Sequence, residues 1–456
     1  MKAQTTLLPI ILFLFISFSH ASTVAIVDSG VDYKHTDLAA QMWTNAGETP
    51  GNLRDEDGNG YPDDFYGWNF AESNSDIIDY KYLGTFSKDP YRFFEIQKKI
   101  FEGTATADEI SWAKAQTKNP KFLMEVQKFG NFIHGTHVAG IAAKGVPGNK
   151  IMGLKLIPTE VKPFIHRARV LGMQAFAAGI RDGLIKGLIT ELSKQQGVLF
   201  KEMGEYLNNH SVEVANGSFG TGIGQAKAIV TPLFMGLWWR KPTAAELETY
   251  SKFFLEAMVV GGESFVDAAP DTLFVFAAGN DGSDNDQFPA SPASVERDNV
   301  ISVAATMDRK LLAKFSNYGE DRVDVAAPGV IIRSTIPGDQ YMEVSGTSQA
   351  APYVARIAGR LRSINKNLKP AQIKEIIMQT VDTKIFLSKK VKSEGIVNSQ
   401  RAELAANLSK TMPIVDSIKK AQISVKDVPL TISGEGHSLR DSSTQFVFPL
   451  PSTLSF

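Results

Sequence analysis

The stretch STVAIVDSGVD, residues 22–32, carries four consecutive apolar residues, Val24 to Val27, closed by Asp28-Ser29-Gly30. An apolar run this short, without polar alternation and with a turn at its end, reads as a strand buried on both faces. The pattern returns in DTLFVFAAGN (271–280), NVISVAAT (299–306) and VDVAAPG (323–329). Between these runs lie helical patterns, among them VLGMQAFAAGIRDGLIKGLITELSK (170–194) and QAAPYVARIAGRLRSI (349–364). Strands alternating with helices predict an α/β fold: a doubly wound, mainly parallel sheet covered by helices on both faces. Sites in such sheets gather at the carboxyl ends of strands, and Asp28 and Asn280 both fall there.

Outward from this frame, three stretches read as helical insertions, at about 72–130, 158–210 and 221–270. The first is charged and aromatic (YRFFEIQKKIF, KFLMEVQKF). The last contains PLFMGLWWRKP, where Trp238 and Trp239 stand beside Arg240 and Lys241. Those tryptophans suit either a membrane or partner patch or the packing of an inserted helix onto the body.

The chain has 456 residues, a net charge of -1, 43% hydrophobic and 21% charged residues, an ordinary globular balance. Without a basic block, nucleic acid is not an expected partner. Residues 1–21 pair one lysine with an apolar run, Leu7 to Phe18, and end in Ser19-His20-Ala21, the pattern of a cleaved signal peptide. Cleavage after Ala21 would leave Ser22 first, with no room before Asp28 for a separate folding segment. A secreted or periplasmic monomer without a transmembrane anchor is expected. Cysteine is absent, so stability must come from the core or from bound ions. Residues 409–456 form a C-terminal tail whose AQISVKDVPLTISG (421–434) reads as strand-like.

FIHGTHVAG (132–140) sets His134 and His137 three apart. Two imidazoles at that spacing could share a helix face and a zinc ion; one beside a carboxylate could serve as a general base; either could be packing. There is no HExxH and no cysteine to complete a zinc set. VSGTSQAAPYVAR (344–356) puts Ser348 at a turn-to-helix junction, with Pro352 read as lying in the first helical turn. A serine there is either a helix cap or a nucleophile at the positive helix end.

VAIVDSGVDYKHTDL, HGTHVAGI and SGTSQAAPYVA, in that order, together resemble the subtilisin-like serine proteases. Further similar stretches are DEDGNGYPDDFYGWNF (55–70), NGSFG (216–220), FAAGN (276–280), FSNYG (315–319), VDVAAPG and GIVNSQRA (395–402). The likeness covers about 22–408, taken as one catalytic domain with insertions. It implies a serine endopeptidase acting on polypeptide substrates through Asp28, His134 and Ser348, with no catalytic cofactor. His134 would be the base and His137 a structural residue beneath the site. Asn280 would donate to the oxyanion beside the Ser348 N–H. Ser218, Phe219 and Gly220 would pair with an extended substrate, and Ala277, Ala278 and Gly279 would line the pocket for the residue before the scissile bond. Gln349 stands where many relatives have methionine, and Tyr353 where histidine is common. A catalytically silent homologue that binds protein through the same scaffold is the rival expectation.

DEDGNGYPDD alternates oxygen ligands at Asp55, Asp57 and Asn59, followed by Gly60, Asp63 and Asp64. It reads equally as half of a calcium loop, with structural Ca2+ on Asp55, Asp57, Asn59 and Asp63, or as a solvated acidic turn.

Overall fold

The computed structural model describes residues 21–161 and 181–429. The signal-peptide reading, residues 170–180 of the helical pattern and residues 430–456 of the tail therefore lie outside the described residues.

Strands run in chain order as β1 (Ser22–Asp28), β2 (Gly67–Asn69), β3 (Asn149–Lys155), β4 (Val214–Gly217), β5 (Leu273–Ala277) and β6 (Val300–Met307). They continue as β7 (Leu311–Leu312), β8 (Val325–Pro328), β9 (Ile332–Ile336), β10 (Gln340–Val344), β11 (Asp382–Thr383) and β12 (Gly395–Ile396). Ten of them form one sheet in the order β11-β12-β8-β6-β5-β4-β1-β3-β2, with β7 beside β6; β9 and β10 pair as a separate hairpin. Within the large sheet only the β6–β7 and β11–β12 pairs are antiparallel. β1 pairs in parallel with β3 on one side and β4 on the other. The winding reverses there, so the switch point sits over the end of β1, where Asp28 stands.

Alternate residues of each strand enter opposite cores, as the pleat requires. Val24, Ile26, Val275 and Val303 join one core; Ala25, Val27, Phe274 and Phe276 join the other. The short helix α1 (Thr36–Ala39) follows β1. After α2 (Lys88–Glu102) and α3 (Ala107–Gln116), α4 (Pro120–Ala143) begins at Asn119, whose side chain caps it, and Pro120, which suits a first turn. α5 (Arg181–Asn209), α6 (Ile223–Trp238) and α7 (Ala244–Asp267) follow. The last are α8 (Thr347–Ile364), α9 (Pro370–Gln379), α10 (Ser399–Leu408) and α11 (Ile414–Ser424). α4, α8, α9, α10 and α11 cover the first core; α5 and α7 cover the second.

The insertion boundaries at 158–210 and 221–270 need correction. Parallel neighbours require a crossover, so α5 (into β4) and α7 (into β5) belong to the doubly wound scheme itself. What is added is their overshoot. At 1.5 Å per residue, 29-residue α5 is about 43 Å long, against about 23 Å for seven-residue β1. The overhanging half of α5 carries Ile185 and Ile189 into a satellite core with α6 and the first half of α7. The boundary at 130 likewise cuts through a continuous α4; the half before His134 packs with α2 and α3 around Phe93, Phe122 and Phe129. In the α6–α7 satellite, Trp238 stacks on Phe234 (ring centroids 4.2 Å apart), Arg240 pairs with Glu246, and Trp239 remains exposed.

Two local readings also change. Residues 421–424 end a helix rather than start a strand, and Ile418 and Ala421 of α11 are buried in the first core. Pro352 is the sixth residue of α8, in its second turn, so it does remove a helical hydrogen bond.

Candidate active site

Asp28 ends β1, fully buried. Its Oδ1 accepts from the Ser29 N–H at 2.7 Å and lies 2.7 Å from His134 Nδ1. A carboxylate only accepts, so the imidazole proton sits on Nδ1 and Nε2 presents its lone pair. α4 comes close enough for this contact because Gly135 meets the turn after β1 at Gly30: a Cβ on Gly135 would lie 2.2 Å from the Gly30 carbonyl oxygen. The Gly135 N–H donates to Ser29 Oγ, and the Asp32 N–H to Thr136 Oγ1.

Three residues on, the same helix buries His137 completely. Its Nε2 lies 3.1 Å from the Ile332 carbonyl and 3.0 Å from that of Met342, one on each strand of the β9–β10 hairpin. Two carbonyls can only accept, so Nε2 carries the proton; Nδ1 faces Gln349 Nε2 at 3.5 Å. Burial, which disfavours the imidazolium, lowers its pKa to about 4. Ser334 Oγ and Thr335 Oγ1 donate to the carbonyls of His137 and Thr136, so the hairpin is fastened to α4 at several points.

That hairpin feeds Ser345-Gly346 into α8, whose second residue is Ser348. Ser348 is buried and its Oγ donates to the Ser218 carbonyl at 3.3 Å. Asn280, just beyond β5, accepts from the Thr347 N–H (2.9 Å) and Thr347 Oγ1 (2.8 Å) through Oδ1. Its amide orientation is thereby set, with Nδ2 on the opposite side. A Cβ built on Gly346 would lie 3.3 Å from Asn280 Nδ2 and 3.7 Å from the Ser348 nitrogen. Both donors thus lie near Gly346, and Gln349 Oε1, 2.9 Å from the same position, is closer still.

Ser218, Phe219 and Gly220 follow the end of β4. Ser218 and Phe219 are buried, and the Phe219 ring packs on Phe200 and Phe276. Ala278 is buried, its N–H bonded to Val303. The space beside Gly279, at φ +121°, is filled by Asn317, whose Nδ2 would lie 2.3 Å from a Cβ there. Asn317 Oδ1 also accepts from the Asp281 and Ser283 N–H groups, holding the loop after Asn280.

In the acidic loop, carboxylate oxygens of Glu48, Asp55 and Asp57 lie within 4.8 Å of one another. Asn59 spends its amide on Asp57 and Asp64, and Asp63 Oδ1 accepts from the Gly51 N–H. Asp63 therefore falls outside the carboxylate group, and Glu48 enters it. Glu48 had no motif to announce it; only the fold returns it to the loop. Lys155 was missed for the same reason. Fully buried beside Asp28 in the β1–β3 register, it pairs with Glu72 (2.7 Å) and Asp79 (3.0 Å), which fastens the start of the first satellite to the sheet.

The doubly wound sheet carries a buried Asp28–His134 pair at the end of β1, and Ser348 is held by Ser218 beyond the end of the neighbouring β4, in a fold of the subtilisin-like class. The chain belongs to the subtilase family, whose profile matches residues 19–402. Subtilisin-like protease 1 of Plasmodium vivax is 26% identical over 414 residues, 86% of this chain and 49% of that protein. Alkaline elastase YaB of Bacillus sp. (strain YaB) is 28% identical over 269 residues, 59% of this chain and 54% of that protein. The chain spans about half the length of these curated relatives. A solved lanthipeptide protease matches with a TM-score of 0.46 and 16% identity, over 84% of this chain and 88% of that one. Among the described residues, no helix is long and apolar enough to cross a membrane.

Proposed function

We propose that this chain is an exported serine endopeptidase that cleaves polypeptides through an acyl-enzyme. The observation that carries the proposal is the 2.7 Å contact between buried Asp28 and His134 Nδ1, which leaves Nε2 as the acceptor a base needs. Ser348 turns its hydroxyl from Ser218 toward His134, loses the proton to Nε2, and attacks the scissile carbonyl. Asp28 holds the tautomer and stabilises the imidazolium. Asn280 Nδ2 and the Ser348 N–H receive the oxyanion. His134 then returns the proton to the leaving amine, and water releases the acyl group by the same route. Residues 218–220 and 277–279 border the acyl side of the substrate. Export rests on the composition of residues 1–21.

Structural calcium is a secondary proposal. Glu48, Asp55 and Asp57 offer the hard oxygen donors the ion takes, and it would offset their mutual repulsion.

A fluorophosphonate probe tests the main proposal. The wild-type protein should be labelled once, and Ser348→Ala should abolish labelling and peptide cleavage together. A folded wild type that is neither labelled nor active would return the chain to the protein-binding alternative.

A further inference from the structure

In a regular helix the carbonyl of Ser348 would accept from the N–H of residue 352, but Pro352 has none. That carbonyl is taken instead by Ser218 Oγ, at 3.0 Å, from the far side of the site. The Ser218 hydroxyl in turn accepts from Asn216 Nδ2 at 2.9 Å, which directs its single proton at Ser348. Ser218 also takes the Ser348 hydroxyl on its own carbonyl. The nucleophile is thus held at both its carbonyl and its Oγ by one residue. All three side chains are buried, and Asn216 Oδ1 is left without a hydrogen-bond partner. A buried orphan acceptor costs stability, so an apolar residue would serve β4 better if folding were its only duty.

We propose that Asn216, Ser218 and Pro352 form a clamp that positions the Ser348 nucleophile, with Pro352 vacating the carbonyl that Ser218 grips. They are positioning residues, and the proposal rests on Ser348 being the nucleophile. Three variants, Ser218→Ala, Pro352→Ala and the double variant, separate function from folding. The readouts are the fluorophosphonate labelling rate constant, kcat and KM on a cleaved peptide, and Tm.

Ser218→Ala should lower kcat and the labelling rate constant about tenfold, the scale of one intramolecular hydrogen bond, with KM within about threefold. It should also lower Tm, because the Ser348 carbonyl loses its partner. Adding Pro352→Ala supplies the missing helical N–H, so Tm should return while the labelling rate does not. Pro352→Ala alone should keep or raise Tm and slow labelling. A Ser218→Ala rate within twofold of wild type would overturn the clamp, as would recovery of both rate and Tm in the double variant. An unlabelled wild type would instead remove the nucleophile assignment, and the clamp with it.

Discussion

Replacing Asp28 with asparagine isolates what its charge contributes. In other triads this substitution inverts the histidine tautomer, because the amide NH2 takes the place of the accepting oxygen. Here the Ser29 N–H points at the same Oδ1 that faces His134. An asparagine that put NH2 there would confront a donor on each contact, so its oxygen should stay and its nitrogen should occupy the Oδ2 position. That position has no hydrogen-bond partner in the wild type. The tautomer should therefore survive and only the charge should go.

A carboxylate and an imidazolium in 2.7 Å contact have charge centres about 4 Å apart. At an effective dielectric constant of about 20 their attraction is about 4 kcal/mol, or roughly 10³ in rate. We expect Asp28→Asn to lose about 10³ in kcat with little change in KM. Nitrogen NMR of the imidazole should still report the proton on Nδ1. A kcat loss below tenfold would refute the electrostatic role, and an Nε2–H tautomer in the variant would refute the argument from Ser29.

Four more outcomes are expected. His137, with a pKa of about 4 in the fold against roughly 6.5 unfolded, takes up its proton first in the unfolded chain. Its contribution is therefore intact above about pH 6.5 and falls by about 3 kcal/mol as pH drops to about 4; urea titrations of wild type and His137→Gln should differ in that slope. Gln349 offers no thioether beside Ser348, so dilute peroxide should spare the labelling rate, while Gln349→Met should make it peroxide-sensitive; rapid inactivation of wild type that the Met variant does not worsen would point to another target. If the acidic loop binds calcium, a chelator should lower Tm, with about 2.7 kcal/mol at stake at a hundredfold excess over Kd, and Glu48→Gln with Asp57→Asn should remove the response. Phe129→Ala, which empties a buried site among Phe86, Tyr91 and Phe94, should cost about 3–5 kcal/mol in denaturant yet leave kcat per labelled site within about threefold.

The sheet was legible because buried parallel strands leave unbroken apolar runs, and β1, β5, β6 and β8 all fall on them. The positions of Asp28, Asn280 and Ser348 followed from strand ends and the turn before α8. What could not be read was whatever depends on contacts distant in sequence. Glu48 joins Asp55 only through the fold, and Lys155 sits in a run otherwise apolar enough to read as plain strand. Overshooting helices defeated the insertion boundaries, since periodicity continues smoothly through Gly130 and gives no sign of where the sheet beneath ends. The tail misled for a related reason. Alternating residues in 421–434 suggest a strand, but Ile418 and Ala421 share a helical face that the first core covers. Pro352 lies one turn further into α8 than the sequence pattern suggests, so the freed carbonyl of Ser348 becomes visible only in the fold.

The two histidines of α4 show how partners decide chemistry where spacing cannot. His134 meets an anion through Nδ1, and His137 meets two neutral carbonyls through Nε2. Each partner only accepts, so each fixes one proton, but on opposite ring nitrogens. At His134 the lone pair is left facing away from Asp28, as an acceptor. At His137 the second proton would enter a fully buried ring with no anion against its Nε2, which is why the imidazolium is disfavoured. The position of His134 is also fixed from its C-terminal side, by Gly135 on Gly30, Thr136 on Asp32 and the hairpin on His137. The aromatic satellite joins α4 on the other side of His134. It includes Ile133, next to the base, and packs on Ile336, Met342 and Val344 of the hairpin, so it joins the His137 clasp in tying the helix of the base to the loop that delivers Ser348.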